Sequence, residues 1–326
     1  MSTQLSGTAL IGDIGGTNAR LALCSLEDGS ITRQAVYSAR ENPSLEACIR
    51  KFMDEQGGDF RYACIAIACP VQKDHIKMTN NSWEFSKTEL QKSLGLEKLM
   101  VINDFTAQSM CIPCLDRSKL IKVGGEEPVK GSPIAVYGAG TGLGVAHLVH
   151  HGDKWIPLPG EGGHVDLATG NMSEDLIVIS MRARIGHVSA ERVLSGPGLV
   201  NLYEAIAMRN ERIREGMTPE DVTRGALESP RDVDCEEALN TFCILMGRFG
   251  GNLALTVGTF GGVYIAGGIV PRFSDYFIKS GFRRAFESKG RFKGYLESIP
   301  VYIVTDPQAG LKGAGATLRQ ELGAVL

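Results

Sequence analysis

Short apolar runs dominate the first hundred residues of this chain, and helical spacing takes over later. Thr8-Ala-Leu-Ile-Gly12, Leu21-Ala-Leu-Cys24 and the stretch 31–38 predict strands around 7–13, 19–26 and 31–38, with Glu27-Asp-Gly-Ser30 as the turn between the last two. From Pro43 the period changes, and Leu45, Ile49, Phe52 and Met53 fall on one helix face. Ala63-Cys-Ile-Ala-Ile-Ala68 is apolar on both faces, as a central strand is, and Leu99-Met-Val-Ile102 predicts another. Between them Ser86-Lys-Thr-Glu89 reads as a capping box opening a short helix that Gly95 stops. Later come a strand pair at 134–137 and 145–149, a buried core helix from Cys235 to Val257, and a strand entering a Gly-Gly turn within Gly261–Pro271, where Pro271 is placed to open a helix. A last helix covers 309–319.

A chain of 326 residues suggests about two domains. The net charge is −3, from 34 basic and 37 acidic side chains, which gives no reason to expect nucleic acid or an anionic membrane as partner. The glycines at 247, 250 and 251 interrupt the longest apolar segment too often for a membrane span. Met1-Ser-Thr-Gln-Leu-Ser-Gly-Thr8 is no signal peptide, so a cytoplasmic location with reduced thiols is expected. Cys111-Ile-Pro-Cys114 has no second pair or nearby His to complete a zinc set.

The chemistry is announced by two glycine-rich turns, Asp13-Ile-Gly-Gly-Thr-Asn-Ala-Arg20 and Gly138-Ala-Gly-Thr-Gly-Leu-Gly144, each between strand-like runs. Glycine lets backbone N–H groups approach an anion closely, so two such hairpins can grip a polyphosphate, although either alone also fits a plain tight turn. The contacts would come from Asp13, Gly15, Gly16, Thr17 and Asn18 in one and Gly140, Thr141 and Gly142 in the other. Asp13 can orient Mg²⁺ through water, since that ion keeps most of its hydration. Neither turn is a P-loop, and 138–144 does not satisfy G-x-G-x-x-G or lead into a helix. His164-Val-Asp-Leu-Ala-Thr-Gly-Asn171 approximates a protein-kinase catalytic loop, but no V-A-I-K lysine or following D-F-G supports it.

Asn103-Asp104 directly follows a buried strand, the place where open parallel sheets hold ligands, and equally a place for a helix N-cap. Glu161-Gly-Gly-His164 is too glycine-rich for a helix and reads as a loop with inward side chains; with Glu191 it forms a second polar set suited to sugar hydroxyls, or an ordinary surface Glu and His.

Taken in order, D-I-G-G-T-N-A-R at 13–20, I-N-D-F-T-A at 102–107, G-A-G-T-G-L-G at 138–144, P-G-E-G-G-H at 159–164 and G-H-V-S-A-E-R-V-L-S-G at 186–196 resemble the bacterial ATP-dependent glucokinases nearly end to end. The resemblance implies an α/β fold of two ribonuclease-H-like lobes of the actin and hexokinase type with a cleft between them, and β-β-β-α-β-α agrees with it. It implies a small domain, 1–112 plus 305–326, and a large one, 113–304, with added helices. It implies transfer of the γ-phosphoryl group of MgATP to glucose O6, with Asp104 as base. Asn103 and Asp104 would hold the O4 and O6 side of glucose, and Glu161, His164 and Glu191 the anomeric side. Thr79-Asn80-Asn81-Ser82-Trp83 looks like a loop closing over the sugar, which brings in Asn80, and Gly267-Gly268 would pack against adenosine. Relatives more often carry Asp-Asn where this chain has Asp306-Pro-Gln308. A homodimer is implied as well. The alternatives are a kinase for another hexose and a non-catalytic sugar-responsive regulator. On the two-clamp reading, a bulky residue at Gly142 should hurt nucleotide use and leave glucose binding nearly intact.

Overall fold

The computed structural model describes residues 5–79 and 81–326, and these pack into two units. The first holds the residues up to Arg117 together with His147–Pro159 and those from Asp306 onward. It begins with β1 (Thr8–Ile14), β2 (Asn18–Ser25), β3 (Ile31–Ser38), α1 (Leu45–Gln56) and β4 (Tyr62–Ile67). It continues with the small ribbon β5 (His75–Lys77) and β6 (Glu84–Ser86), then α2 (Lys87–Ser93), β7 (Lys98–Asn103) and α3 (Asp104–Cys111).

The strands form one sheet in the order β3-β2-β1-β4-β7. β1 and β2 are an antiparallel hairpin, whereas β1, β4 and β7 run parallel, Ile14 opposite Ile67 and Ile67 opposite Asn103. Successive strand side chains alternate between faces. Leu10, Ile14, Leu21, Ile65 and Ile67 therefore share one core with Ile49 and Phe52 of α1. Ile11, Ala22 and Cys24 share the other with Leu311, Ala314 and Leu318 of the last helix. Burying a side chain such as Phe52 contributes about 1.5–3 kcal/mol. Ser44 caps α1 by accepting from the Ala47 amide. Ser86 accepts from the Glu89 amide, which is one half of the expected capping box; the Ser86 hydroxyl itself donates to Asp74.

The second unit comprises Ser118–Ala146 and Gly160–Thr305. Its strands are β8 (Leu120–Gly124), β9 (Ile134–Ala139), the start of β10 (Leu143–His151), the last residue of β11 (Lys154–Gly160), β12 (Val263–Ile265) and β13 (Val301–Val304). The sheet order is β11-β10-β9-β12-β13-β8, with β9, β12 and β13 parallel. The helices are α4 (Met172–Ile185), α5 (Gly196–Arg209), α6 (Pro219–Leu227), α7 (Val233–Val257), α8 (Ser274–Lys279), α9 (Phe282–Glu287) and α10 (Lys293–Ser298). The expected core helix is α7, capped by Asp232, ended by Gly258 in the left-handed region, and packed on α5, α6 and α9. The Arg248 guanidinium on α7 grips the buried Glu174 carboxylate with two bonds of 2.7 and 2.8 Å. Pro271 opens a 3-10 turn, Val270–Phe273, just ahead of α8.

The last helix, α11 (Ala309–Glu321), belongs to the first unit. Its buried face is built from Gly310, Gly313, Ala314, Gly315 and Ala316, so it approaches α3 at backbone distance. A Cβ at Gly313 would collide with the Ala107 carbonyl. Gly313→Ala should cost about 1–3 kcal/mol of unfolding free energy as an overpacked contact. Gly294→Ala on α10, where a Cβ meets only Glu297 at 3.9 Å, should be neutral or stabilising. Equal urea midpoints for the two variants and the parent would refute the close crossing.

Candidate active site

In the first unit the parallel register puts the Asp13 turn and Asn103-Asp104 on the same carboxyl edge, two strands apart, or about 10 Å at the usual strand spacing. Asn103 is the N-cap of α3: its side-chain oxygen accepts from the Phe105 and Thr106 amides at 2.9 and 3.3 Å. The cap reading of this pair is thus correct for Asn103, and it leaves the amide nitrogen to donate. Asp104 opens the helix, with Oδ1 accepting from the Phe105 amide at 2.9 Å. Both residues are only half-buried.

Asp13 is held from two sides. Arg20 donates to Oδ2 at 3.1 Å, and a Cβ on Gly310 would come within 2.8 Å of the carboxyl carbon, so only glycine fits in the first turn of α11. Burial pushes the Asp13 carboxyl above the ordinary range; Arg20, by its charge and its hydrogen bond, pulls the other way and does not cancel it. Gly15 donates to the Asn18 carbonyl at 2.9 Å, which closes the turn that carries Gly16 and Thr17. Gln308 gives α11 no side-chain cap; its amide reaches Gln34 instead. Asn80 lies outside the described residues. Its neighbour Trp83 is buried, its indole N–H donating to the Asn42 carbonyl at 2.9 Å, so that end of the loop is anchored in the core.

In the second unit the Gly140–Gly142 turn joins β9 to β10. The Gly140 amide donates to the Gly142 carbonyl, and the Gly196 amide at the start of α5 donates to the Gly140 carbonyl, both at 2.8 Å. A Cβ on Gly138 would collide with the Ala266 carbonyl, and one on Gly267 would lie 2.5 Å from the Ala139 carbonyl. The Gly267-Gly268 turn is therefore seated directly on the hairpin. Beside both lies a pocket of about 570 Å³ lined by Gly140, Thr141, Gly268, Leu199, Ile269 and Phe273. Its apolar walls and nearby backbone amides suit a purine with phosphates.

The sequence reading missed the opposite wall, which is α6. Pro219, Glu220, Thr223 and Arg224 line the pocket there, and Glu220 is ion-paired across to Arg272 at 3.0 Å. The only signal was Thr218-Pro-Glu-Asp221, which forms a complete capping box.

Glu161 precedes and His164 ends a short 3-10 turn, Gly162–His164, and both residues are exposed. The His164 amide donates to the Glu161 carbonyl at 3.0 Å. Glu191 joins them: its amide donates to the Gly163 carbonyl at 2.8 Å, and its Oε1 lies 3.9 Å from His164 Nδ1. Its Oε2 accepts from the Leu143 amide at 2.9 Å, next to the glycine hairpin. A Cβ on Gly142 would collide with that same oxygen. A residue larger than glycine at 142 would therefore have to displace the Glu191 carboxylate.

The family model for glucokinase matches residues 10–321. The chain belongs to the glucokinase family. A glucokinase of Tolumonas auensis is 59% identical over 314 residues, which are 96% of this chain and 98% of that one. The crystal structure of a glucokinase from an Antarctic psychrotroph superposes with a TM-score of 0.87 at 33% identity, covering 96% of this chain and 99% of that one. A ROK family glucokinase from Streptomyces griseus, whose crystal structure is in complex with glucose and AMPPNP, shares the fold at a TM-score of 0.65 and 19% identity, covering 96% and 100%. The actin and hexokinase type of α/β fold expected for a glucokinase is thus the observed one.

The side chains of His164 and Glu191 come together at 3.9 Å, a polar pair whose chemistry suits sugar hydroxyls. His164→Ala should therefore raise KM for glucose by roughly fivefold or more, the loss of about one hydrogen bond, and change KM for ATP little. Initial rates over a grid of both substrates decide this, and an unchanged glucose KM would remove His164 from the sugar site.

Proposed function

We infer that this chain transfers the γ-phosphoryl group of ATP to the 6-hydroxyl of glucose, giving glucose 6-phosphate and ADP. Near full-length identity of 59% to a glucokinase supports the activity. The observation in the fold that carries it is the register setting Asn103-Asp104 beside the Asp13 turn on one sheet edge.

In this reading Asp104 accepts the proton of the 6-hydroxyl while Asn103 orients the O4 and O6 side. An aspartate is ionised at neutral pH and can act as general base once the hydroxyl is within hydrogen-bond reach. Glu161, His164 and Glu191 take the hydroxyls of the anomeric side. Asn80, from the loop ending in the buried Trp83, adds a further sugar contact. Phosphoryl transfer asks mainly for in-line positioning and charge stabilisation. Backbone amides of Gly16, Thr17 and Asn18 and of Thr141 and Gly142 provide the donors, in turns that the Gly15 and Gly140 amides close, and Gly267-Gly268 with the apolar pocket holds the adenosine.

Mg²⁺ arrives with the ATP phosphates, with Asp13 as its water-mediated protein contact. A single carboxylate suits this ion, which relies on phosphate oxygens and water. Among the described residues no group of three or more His, Cys, Asp or Glu forms a dedicated metal cage. When bound, the ion supplies charge neutralisation on the phosphates.

The small domain, 1–112 with 305–326, supplies Asp13 and Asp104; the large one, 113–304, supplies the sugar turn and the nucleotide pocket. A homodimer is favoured by the exposed apolar stripe Met172, Leu176 and Ile179 along α4. The cytoplasm, which holds ATP, is the proposed location. Neither nucleic acid nor a membrane is assigned as a partner, and no helix among the described residues is long and apolar enough to cross a membrane.

A coupled assay across hexoses and phosphoryl donors should give the highest kcat/KM for glucose with ATP. A clear preference for another hexose would replace glucose in this reading. Asp104→Ala should keep sugar binding and lose roughly 10²–10⁴ in kcat, the range of a general base. Activity within a few-fold of the parent would remove Asp104 from the chemistry.

A further inference from the structure

We propose that Glu191 is the positioning residue of the phosphate hairpin as well as a sugar contact, so that glucose and nucleotide binding are coupled through one carboxylate. This rests on the reading that Glu191 meets the sugar and that the Gly140–Gly142 turn meets the phosphates.

Three features of the second unit carry the inference. The carboxylate is divided: Oε2 accepts from the Leu143 amide at 2.9 Å, while Oε1 faces His164 at 3.9 Å. Gly142 is kept bare by the same carboxylate, because a Cβ there would collide with Oε2. The sugar turn is otherwise packed tightly on the start of β10, since a Cβ on Gly163 would collide with the Leu143 carbonyl and one on Gly162 would come within 2.9 Å of the Val145 side chain. The side chain is 31% exposed, so one part of it remains open to a ligand while another part is committed to the hairpin.

The physical consequence follows from rotamer freedom. A partly exposed glutamate samples several side-chain positions, and the Leu143 hydrogen bond breaks in some of them. A sugar hydroxyl donating to Oε1 fixes the carboxylate, and with it the Leu143 amide and the Gly140–Gly142 turn beside it. The nucleotide then meets a hairpin whose ordering has already been achieved, which makes the coupling positive and reciprocal.

The experiment compares two glycines in the same turn by calorimetric titration of glucose without nucleotide. In Gly142→Ala the new methyl meets the free end of a side chain, so the fold can keep its shape while the carboxylate moves. Glucose Kd should rise roughly tenfold, the loss of a hydrogen bond to a charged group. In Gly140→Ala a Cβ meets nothing within 4 Å, and glucose Kd should match the parent. A second pair reads the other direction, titrating AMPPNP without glucose. Glu191→Ala should weaken it several-fold, whereas Glu191→Gln, whose amide oxygen can still accept from Leu143, should bind it within about twofold of the parent.

Glucose affinity in Gly142→Ala equal to that of Gly140→Ala overturns the proposal. So does parental AMPPNP affinity in Glu191→Ala, or an equal loss in Glu191→Ala and Glu191→Gln. If Gly142→Ala does not fold by circular dichroism, the Glu191 pair alone decides. The phosphorylation of glucose by the parent tests the proposed function separately, so a failure here leaves that reading standing.

Discussion

Close backbone approach is the constraint on which the rest of this molecule depends. At the end of β9 the chain passes so near the end of β12 that neither Gly138 nor Gly267 can carry a side chain. At the start of β10 the sugar turn meets the hairpin in the same way, and α11 meets α3 likewise at Gly313. Each contact sacrifices the burial that a methyl group would contribute, and each gains a rigid juxtaposition of main-chain donors. The amides of the Gly140–Gly142 turn, the pocket beside them and the Glu161, His164 and Glu191 set all hang from backbone held in this way.

Electrostatics then distributes the work among the acids. Asp13 is buried enough that its carboxyl sits above the ordinary range despite Arg20. Asp306 is committed to structure, its side chain 2% exposed, paired with Lys312 at 2.6 Å and accepting from the Gln308 amide. Asp104 and Glu191 lie between these extremes. Each accepts from a backbone amide, Phe105 or Leu143, and is half-buried. A main-chain donor helps preorganise a carboxylate.

Most of the fold was legible because its signals are local. The runs that became β1, β4 and β7 are bounded by turn residues, and the glycines of both hairpins sit where the strands stop. The motif residues stood out for a different reason: they fall at strand ends and turns, where side chains are not needed for packing. What could not be read depends on partners distant in sequence. Nothing around 219–227 announces a pocket wall, since α6 is a polar helix with only Val222 and Ala226 buried. Gly310 looks like any small residue on a packed helix until Asp13 is found against it. Glu161 and His164 take their places from the glycines between them: Gly163 lies against the Leu143 carbonyl and Gly162 against the Val145 side chain, packing that the local sequence does not announce. The neighbour that excludes a side chain at Gly142, Glu191, likewise comes from outside the hairpin.

The central claim is that one sheet edge presents Asp104 to the sugar while glycine-hairpin amides hold the phosphates. A crystal structure with glucose and AMPPNP bound tests it most directly. The account predicts an Asp104 carboxylate oxygen within about 2.6–3.2 Å of the sugar 6-hydroxyl, the reach required of a general base, with the terminal phosphate against the amides of the two glycine turns. A sugar bound with its 6-hydroxyl turned away from Asp104, or phosphates lying off both turns, would contradict it.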